Sequence, residues 1–162
     1  MSLSTITVYS WTVFLSFLPI SELRGAIPFA IANKLPWYWA YGISVFCNAL
    51  VAPVCWIFLS TLHKLFLKFT WYGLFFERFI DRARNKLHDN VERWGWLGVA
   101  VFVAIPLPLT GAWTGTLGAW VLGLSRRKTM LAVVIGVVVA GAIVTLAILL
   151  GIKALNLFVK RI

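Results

Sequence analysis

Charge is scarce in this sequence, and negative charge is the scarcest kind. Charged residues make up 12% of the 162 residues, and five of them are Asp or Glu, whereas an average soluble protein has roughly 25% charged residues. Hydrophobic residues make up 61%. A soluble chain of this length could not bury so much apolar surface, so we exclude a soluble globular protein and expect lipid to solvate part of the molecule.

Cysteine and histidine are also scarce, which argues against metal and redox chemistry. Cys47 and Cys55 are the two cysteines, and both lie in one apolar segment without the spacing of a metal or redox motif. We therefore expect no cofactor.

The first basic residue is Arg24, so the N-terminus lacks the basic leader of a secretory signal peptide, and we expect the first apolar segment to be retained.

Proline and glycine interrupt the apolar sequence at two corresponding places. Residues 6–33 are broken around Pro19 and Gly25, and residues 96–123 are broken around Pro106 and Gly111. An apolar segment long enough to span a membrane follows each break, over 37–62 and 128–155, and a basic linker over 63–95 separates the two halves, 1–62 and 96–162. This layout predicts a single all-α membrane domain in which two re-entrant helical hairpins are each followed by a transmembrane helix, in an inverted repeat.

The length of the broken segments and the distribution of charge favour hairpins over single kinked spans, which are the alternative. None of the four arms reaches the roughly 20 apolar residues that a membrane span needs. If both segments are hairpins, ten Lys and Arg residues share the side of the linker and four lie on the other side. The positive-inside tendency then places the linker in the cytoplasm.

The linker has the spacing of an amphipathic helix. Its apolar positions recur three or four residues apart from Phe76 to Trp94, with basic residues between them. Such a helix lies either on the anionic cytoplasmic leaflet or on the cytoplasmic face of the protein itself. Basic residues that flank membrane spans account for the net charge of +10, so we expect no nucleic-acid partner.

Glu22 and Arg24 are the ionisable residues within the predicted membrane layer, where such residues usually mark a transport pathway or a proton site. The alternative is a structural ion pair that holds the tip of the hairpin. Two broken helices that meet near the midplane offer unpaired N–H groups and positive dipole ends, which suit an anionic head group. Thr110 is placed to cap the second half-helix. Protonation of Glu22 would relieve its repulsion of that anion and couple the substrate to protons.

These considerations give a set of candidate site residues. Glu22 is the candidate for proton coupling. The candidates for substrate binding lie in or beside the two breaks and are Arg24, Gly25, Pro28, Asn48, Pro106, Pro108, Thr110, Gly111 and Trp113. For Asn48, lining a cavity and hydrogen bonding across helices are both open.

Small residues recur every four positions in the second half. They are Gly111, Gly115, Ala119 and Gly123, followed by Ala132, Gly136 and Ala140. Such stripes let helix backbones approach closely in lipid, so we interpret them as packing surfaces. They are also compatible with a homodimer.

The sequence around the two breaks resembles the small multidrug export protein family. The resembling stretches are Ser21-Glu22-Leu23-Arg24-Gly25-Ala26-Ile27-Pro28 and Pro106-Leu107-Pro108-Leu109-Thr110-Gly111-Ala112-Trp113-Thr114-Gly115. The resemblance covers nearly the whole chain and extends to the DedA (SNARE-associated, VTT-domain) superfamily. It implies an inverted repeat of re-entrant hairpins in a bacterial or archaeal cytoplasmic membrane, and a link to proton-dependent drug tolerance and to lipid-carrier recycling.

Two departures from these families stand out. The family motif reads Pro-Gly-Thr-Gly, and Leu109 here replaces its first glycine. DedA relatives usually supply an arginine from the second hairpin, and this sequence has no arginine between Trp94 and Ser125. Arg24 would therefore act alone at the site.

Three functions follow from the sequence, and none of them is enzymatic. The first is a proton-coupled transporter or flippase for an amphiphilic anion such as a lipid phosphate. The second is export of hydrophobic drugs, and the third is a structural or assembly role in the membrane without transport. Catalysis is not expected, because Glu22 has neither a second acid nor a histidine near it in the predicted membrane layer.

Overall fold

The structure is a computed structural model that describes residues 4–62, 91, 93–107 and 110–159. All the regular elements in these ranges are helical. The amphipathic helix predicted over 63–95 lies outside the described residues except for Val91 and residues 93–95. Pro108 and Leu109 also lie outside them.

Two helices are long and apolar enough to cross a membrane. Helix α3 covers Trp37–Ile57 and continues as a π-helical turn over Phe58–Leu62, and helix α6 covers Arg126–Val159. Their apolar parts, Trp37–Thr61 and Arg126–Lys153, have 25 and 28 residues and mean hydropathies of 2.0 and 3.0. At about 1.5 Å per residue, each exceeds the roughly 30 Å of a bilayer core.

Four short helices form two pairs of consecutive helices. One pair precedes α3 in the sequence and the other follows it. The first pair is α1, Thr5–Phe17, and α2, Glu22–Ala32. The second pair is α4, Trp96–Ala104, and α5, Ala112–Val121. With 9 to 13 residues each, these helices reach at most about 20 Å, which is shorter than a bilayer core.

The helix ends follow from local sequence. The Ser4 side chain accepts a hydrogen bond from the Thr7 N–H at 3.3 Å and so caps the start of α1. Pro19 follows the end of α1, and Pro106 follows the end of α4, because proline cannot continue the hydrogen-bond ladder of a helix. The helical structure is thus interrupted between the two helices of each pair.

The core lies where both short pairs pack against α3 and α6. Helix α4 packs most extensively on α6, while α3 contacts α1, α2, α5 and α6. One cluster of buried side chains draws on α2, α3, α4, α5 and α6 and includes Ile27, Val51, Val103 and Val133. The two halves of the sequence therefore share one core.

Glycine allows the closest helix approaches in this core. A Cβ atom at Gly136 would lie 2.6 Å from the Cβ of Val103 and 2.8 Å from the carbonyl oxygen of Ala100, so α6 can meet α4 only because Gly136 lacks a side chain. Gly115 packs equally closely on Val103. The packing interpretation of the small-residue stripes holds at these positions.

Gly123 is an exception, and the packing prediction is wrong there. It has φ +73° and faces open space, with no atom within 4 Å of a Cβ built on it. A glycine just after the end of α5 suits this left-handed conformation, so it terminates the helix instead of packing against a neighbour.

The outer surfaces of the two long helices are apolar. Large hydrophobic side chains are exposed along both of them, including Phe46 at 66%, Val54 at 52%, Leu131 at 59% and Leu146 at 59%. Exposed apolar surface on this scale suits contact with lipid. The protein is a membrane protein by this criterion and by the length of its apolar helices.

Candidate functional site

The two breaks in the chain meet each other in space. The first break joins α1 to α2 around Pro19, and the second joins α4 to α5 around Pro106. Side chains next to each break hydrogen bond to main-chain groups of the other break, across more than 80 residues of sequence. Helix ends leave main-chain groups unpaired, and here the opposite half of the chain supplies their partners.

Arg24 binds the carbonyl oxygens that follow α4. Its guanidinium donates hydrogen bonds to the carbonyl oxygen of Leu107, more weakly to that of Ile105 at 3.5 Å, and to Thr110 Oγ1 at 3.0 Å. The C-terminal end of a helix carries partial negative charge, so a cation is well placed there. Arg24 thus holds the second break in a defined shape.

Thr110 organises the same loop and does not cap α5, so the capping prediction is wrong. Its Oγ1 lies 2.7 Å from the carbonyl oxygens of both Ile105 and Leu107, and it accepts a hydrogen bond from the Leu107 N–H at 3.2 Å. The Thr114 hydroxyl takes the capping role and accepts from the Gly111 N–H at 3.1 Å. Thr110 and Arg24 therefore share the same set of loop oxygens.

Glu22 occupies the start of α5. Its side chain is buried, with 4% exposed, and its Oε1 accepts a hydrogen bond from the Trp113 N–H at 3.3 Å. The Ala112 N–H adds a further interaction with the carboxylate. These are the first N–H groups of α5, so the carboxylate fills the anion site that a helix N-terminus offers.

The backbone of Glu22 is strained. Its φ is +47°, in the left-handed region that costs an L-residue with a side chain about 1–2 kcal/mol. Such strain persists where surrounding contacts over-determine a conformation, and it concentrates at functional sites. Here the strain turns the carboxylate towards α5 at the first residue of α2.

Trp113 completes a set of reciprocal contacts. Its indole Nε1–H donates to the carbonyl oxygen of Phe17, the last residue of α1, at 3.0 Å. The end of α1 is therefore bound by the second half, while the end of α4 and the start of α5 are bound by Arg24 and Glu22 of the first half. The charges and dipoles match at each of these three helix ends.

Two candidate glycines make room for polar side chains. Gly111 has extended backbone, so its conformation suits any residue, but a Cβ there would overlap the Glu22 carboxylate. A Cβ at Gly25 would overlap the Ser21 hydroxyl. At both positions the missing side chain matters because of close approach.

Asn48 is completely buried on α3, with 0% exposed. Its amide lies close enough to the Glu22 carboxylate to interact with it. The geometry is not that of a standard hydrogen bond, since neither Nδ2 nor Oδ1 has a partner by that criterion among the described residues. The structure thus brings Asn48 on α3 to the junction, where its amide interacts with Glu22 on α2.

The remaining candidates lie in the helix and loop around these contacts. Pro28 lies inside α2, where it cannot donate a hydrogen bond to the carbonyl of Arg24 one turn earlier. Pro106 lies in the loop held by Arg24 and Thr110. Pro108 lies outside the described residues.

A small cavity lies at the junction of the two breaks. Its volume is about 70 Å³, and it is lined by Pro19, Ile20, Glu22, Arg24, Thr110, Trp113 and Thr114. Sites for drug-sized molecules usually enclose roughly 300–1,000 Å³, so the junction is closed in this conformation. Within the described ranges, no group of three or more His, Cys, Asp or Glu residues could hold a metal ion.

The carbonyl oxygens that bind Arg24 and Trp113 were missed by sequence reasoning. Every residue carries a carbonyl, so no residue type marks the oxygens of Phe17, Ile105 and Leu107 as partners. The available signal was the prolines, because a broken helix must leave such groups unpaired. Ser44, a buried residue of α3 whose hydroxyl has no partner among the described residues, was also missed, since a lone serine in an apolar span is common.

Comparison with known proteins identifies the family. Residues 22–143 match the model of a family described as "Putative small multi-drug export protein", a stretch that contains Glu22, Arg24 and the whole second break. Searches of curated proteins and of solved structures each find no match. Because the match covers most of the chain, including both sides of the junction, this protein belongs to the small multi-drug export protein family.

Proposed function

We propose that this protein exports small hydrophobic molecules, preferentially cations, across the cytoplasmic membrane, with Glu22 as the proton-coupling residue. The observation that carries the proposal is the buried Glu22 carboxylate at the junction of the two breaks. A carboxylate within the membrane layer is costly, and such residues usually mark a transport path or a proton relay. The family, one of export proteins, supports transport over catalysis.

The geometry favours hydrophobic cations over the amphiphilic anions that the sequence first suggested. An anionic head group was expected to bind Arg24 and the N–H groups of the second break. Arg24 is already engaged with three oxygen atoms, and the N–H groups of Ala112 and Trp113 face the Glu22 carboxylate. An anion would have to displace Glu22 from α5, whereas a cation would be attracted to it. The aromatic ring of Trp113 in the same cavity suits an apolar cation as well.

The proposal includes the membrane arrangement of the short helices. We propose that α1–α2 and α4–α5 are re-entrant hairpins of an inverted repeat, with the basic linker in the cytoplasm. The support is the length of these helices, each too short to span a bilayer, and the excess of Lys and Arg on the linker side. The division into halves at 1–62 and 96–162 and the relation to the DedA superfamily remain predictions, as does a homodimer.

Export then requires the junction to open. The cavity of about 70 Å³ is too small for a drug, so the described conformation is closed. Because α1–α2 and α4–α5 hold each other through helix-end contacts, movement of one pair against the other would expose Glu22 to one side of the membrane at a time. Protonation would remove the charge that binds Glu22 to α5 and would release a bound cation.

The experiment is efflux of a fluorescent hydrophobic cation from proteoliposomes. Wild-type protein with ethidium inside the vesicles should show efflux that depends on an imposed pH gradient. Glu22→Gln, which keeps the size and hydrogen-bond acceptor but loses the charge, should lose the dependence on the gradient. Glu77→Gln, the same change in an acid of the linker, is the matched control and should behave as wild type.

Three results would contradict the proposal. Gradient-driven efflux that is unchanged in Glu22→Gln would remove Glu22 from the coupling. Movement of a fluorescent lipid phosphate, with no efflux of ethidium, would restore the anionic substrate. Absence of both activities from a well-folded protein would favour the structural or assembly role.

A further inference from the structure

Three residues of the first half form a polar row inside the protein. Glu22 begins α2, and Asn48 and Ser44 lie one turn apart on the buried face of α3. Asn48 and Ser44 are both 0% exposed, and Glu22 is 4% exposed. On an α-helix, residues four apart have Cβ atoms about 5–6 Å apart, a distance that one water molecule can bridge between their polar atoms.

The polar atoms of Asn48 and Ser44 make no hydrogen bond of standard geometry within the described part of the chain. Both amide atoms of Asn48 and the hydroxyl oxygen of Ser44 are buried without a hydrogen bond from any described group. Leaving such a group unpaired is destabilising, and buried polar groups without protein partners are usually paired with ordered water. The neighbouring hydroxyls of α1 differ, because Thr12 and Ser16 each donate to a carbonyl one turn earlier at 2.7 Å.

The chemistry of the unpaired atoms suits water. Water both donates and accepts, so it satisfies all of these atoms. We infer that Glu22, Asn48 and Ser44 line a buried file of water molecules that delivers protons to Glu22 from the side of the membrane at which α3 begins.

The direction follows from the order of these residues along α3. From Asn48 to Ser44 the row leads away from the junction and towards Trp37, the first residue of the helix. One turn beyond Ser44 lies Ala40, in a buried apolar cluster with Val8, Ala30 and Leu35. This cluster closes the file in the described conformation, so α1 and α2 must separate from the start of α3 before protons can enter.

The charges around Glu22 are compatible with this role. Four groups interact with the Glu22 carboxylate. They are the Arg24 guanidinium on the same helix, the Asn48 amide on α3, and the N–H groups of Ala112 and Trp113 on α5. Over their described residues α1, α3 and α5 contain no charged side chain; Tyr9 on α1 and Tyr38, Tyr41, Cys47 and Cys55 on α3 are their titratable groups. Waters beside Asn48 therefore provide Glu22 with a polar route that avoids Arg24.

The test measures water access directly by hydrogen–deuterium exchange of a thiol. In a background with Cys47→Ala and Cys55→Ala, single cysteines are introduced as Ser44→Cys, Asn48→Cys, Ala40→Cys or Val51→Cys. The native residues at these four positions lie on one face of α3 and are all 0% exposed, so burial is matched. The protein in lipid nanodiscs is transferred to D₂O, and the S–H stretching band is followed by infrared spectroscopy.

The inference predicts that burial alone does not set the exchange rate. Thiols at 44 and 48 should exchange faster than thiols at 40 and 51 by about tenfold or more, because the latter exchange only through local opening. Adding Asn48→Leu to Ser44→Cys should slow exchange at position 44, since the amide that holds the water is gone. Equal rates at all four positions would overturn the inference, as would fast exchange at 44 that is unaffected by Asn48→Leu.

The inference rests on the proposed proton coupling of Glu22, yet the two can fail separately. Fast exchange at 44 and 48 together with unchanged efflux in Glu22→Gln would keep the water file and reject the coupling. Slow exchange at these positions together with lost coupling in Glu22→Gln would keep the coupling and reject the file. Circular dichroism and size-exclusion chromatography of each variant establish that it is folded.

Discussion

The contact between Gly111 and Glu22 provides the sharpest test of the junction. A Cβ atom at Gly111 would lie 2.5 Å from Cδ and 2.6 Å from Oε1 of the Glu22 carboxylate, where ordinary contacts begin at 3.4 Å. The nearest carboxylate atom, Oε2, is closer still, so in Gly111→Ala it must move by about 1.5 Å, which would break the hydrogen bond from the Trp113 N–H, now 3.3 Å long. The extended backbone at Gly111 adds no strain of its own, so the whole effect comes from this contact.

The expected cost follows from two terms. Overpacking costs roughly 1–3 kcal/mol, and loss of a hydrogen bond to a charged group costs roughly 1.5–3 kcal/mol. These two contributions are not additive, because the movement of the carboxylate that relieves the steric clash also breaks the hydrogen bond. We expect Gly111→Ala to lower the free energy of unfolding by about 3 kcal/mol.

The assay is a double-mutant cycle with Glu22→Ala, measured by unfolding in detergent micelles. Glu22→Ala alone should also destabilise the protein, since it leaves the first N–H groups of α5 without an acceptor. In the Glu22→Ala background the methyl group added at position 111 has room. Gly111→Ala should then lower the free energy of unfolding by less than about 0.5 kcal/mol, which is within the usual deviation from additivity of independent mutations. Gly42→Ala is the control: no atom lies within 4 Å of its Cβ position in α3, and alanine favours a helix over glycine by about 1 kcal/mol. An equal cost of Gly111→Ala in both backgrounds would refute the contact between Glu22 and the second break.

Three further predictions concern the loop, the packing and the topology. Arg24→Gln should destabilise the second break and reduce efflux more than Arg24→Lys does, because lysine keeps the charge but loses the planar fork that binds several oxygens; equal effects in thermal unfolding and ethidium efflux would show that charge is irrelevant there. Gly115→Leu should damage folding far more than Val121→Leu, since Gly115 packs directly on Val103; equal yields of folded protein on size-exclusion chromatography would contradict this. A cysteine at exposed Ser125 should react with an impermeant thiol reagent from the cytoplasmic side, and reaction from the opposite side would make 96–123 a true span and rule out the re-entrant arrangement.

The bounds of the apolar elements could be predicted from the sequence because they depend on local patterns. A long apolar run with few charges favours a long helix in any context, and α3 and the part of α6 that follows Lys128 are such runs. Proline favours the end of a helix, so the breaks around Pro19 and Pro106 were visible as well, although Pro28 and Pro53 lie inside α2 and α3. The scarcity of charge likewise singles out Glu22 and Arg24, because an ionisable side chain is conspicuous in an apolar segment.

The roles of residues within the junction were harder to predict. Thr110 has the side chain of a helix cap and lies two residues before α5, yet the preceding loop folds back so that its hydroxyl binds Ile105 and Leu107. Gly123 fits the four-residue spacing of the stripe, yet its left-handed backbone ends α5. In both cases the local pattern suits two structures, and the path of the backbone decides between them.

By itself the sequence determined that this is an all-helical membrane protein with two long apolar helices, two breaks, and one acid and one arginine beside the first break. Only the tertiary structure decided which groups those two charges meet. Arg24 binds carbonyl oxygens 81 and 83 residues away, and Glu22 fills the helix N-terminus that the sequence offered to an anionic substrate. The physical reason is that a broken helix exposes main-chain N–H and C=O groups that every residue except proline possesses in full. Their partners are set by how the two halves pack, which no local pattern of side chains records.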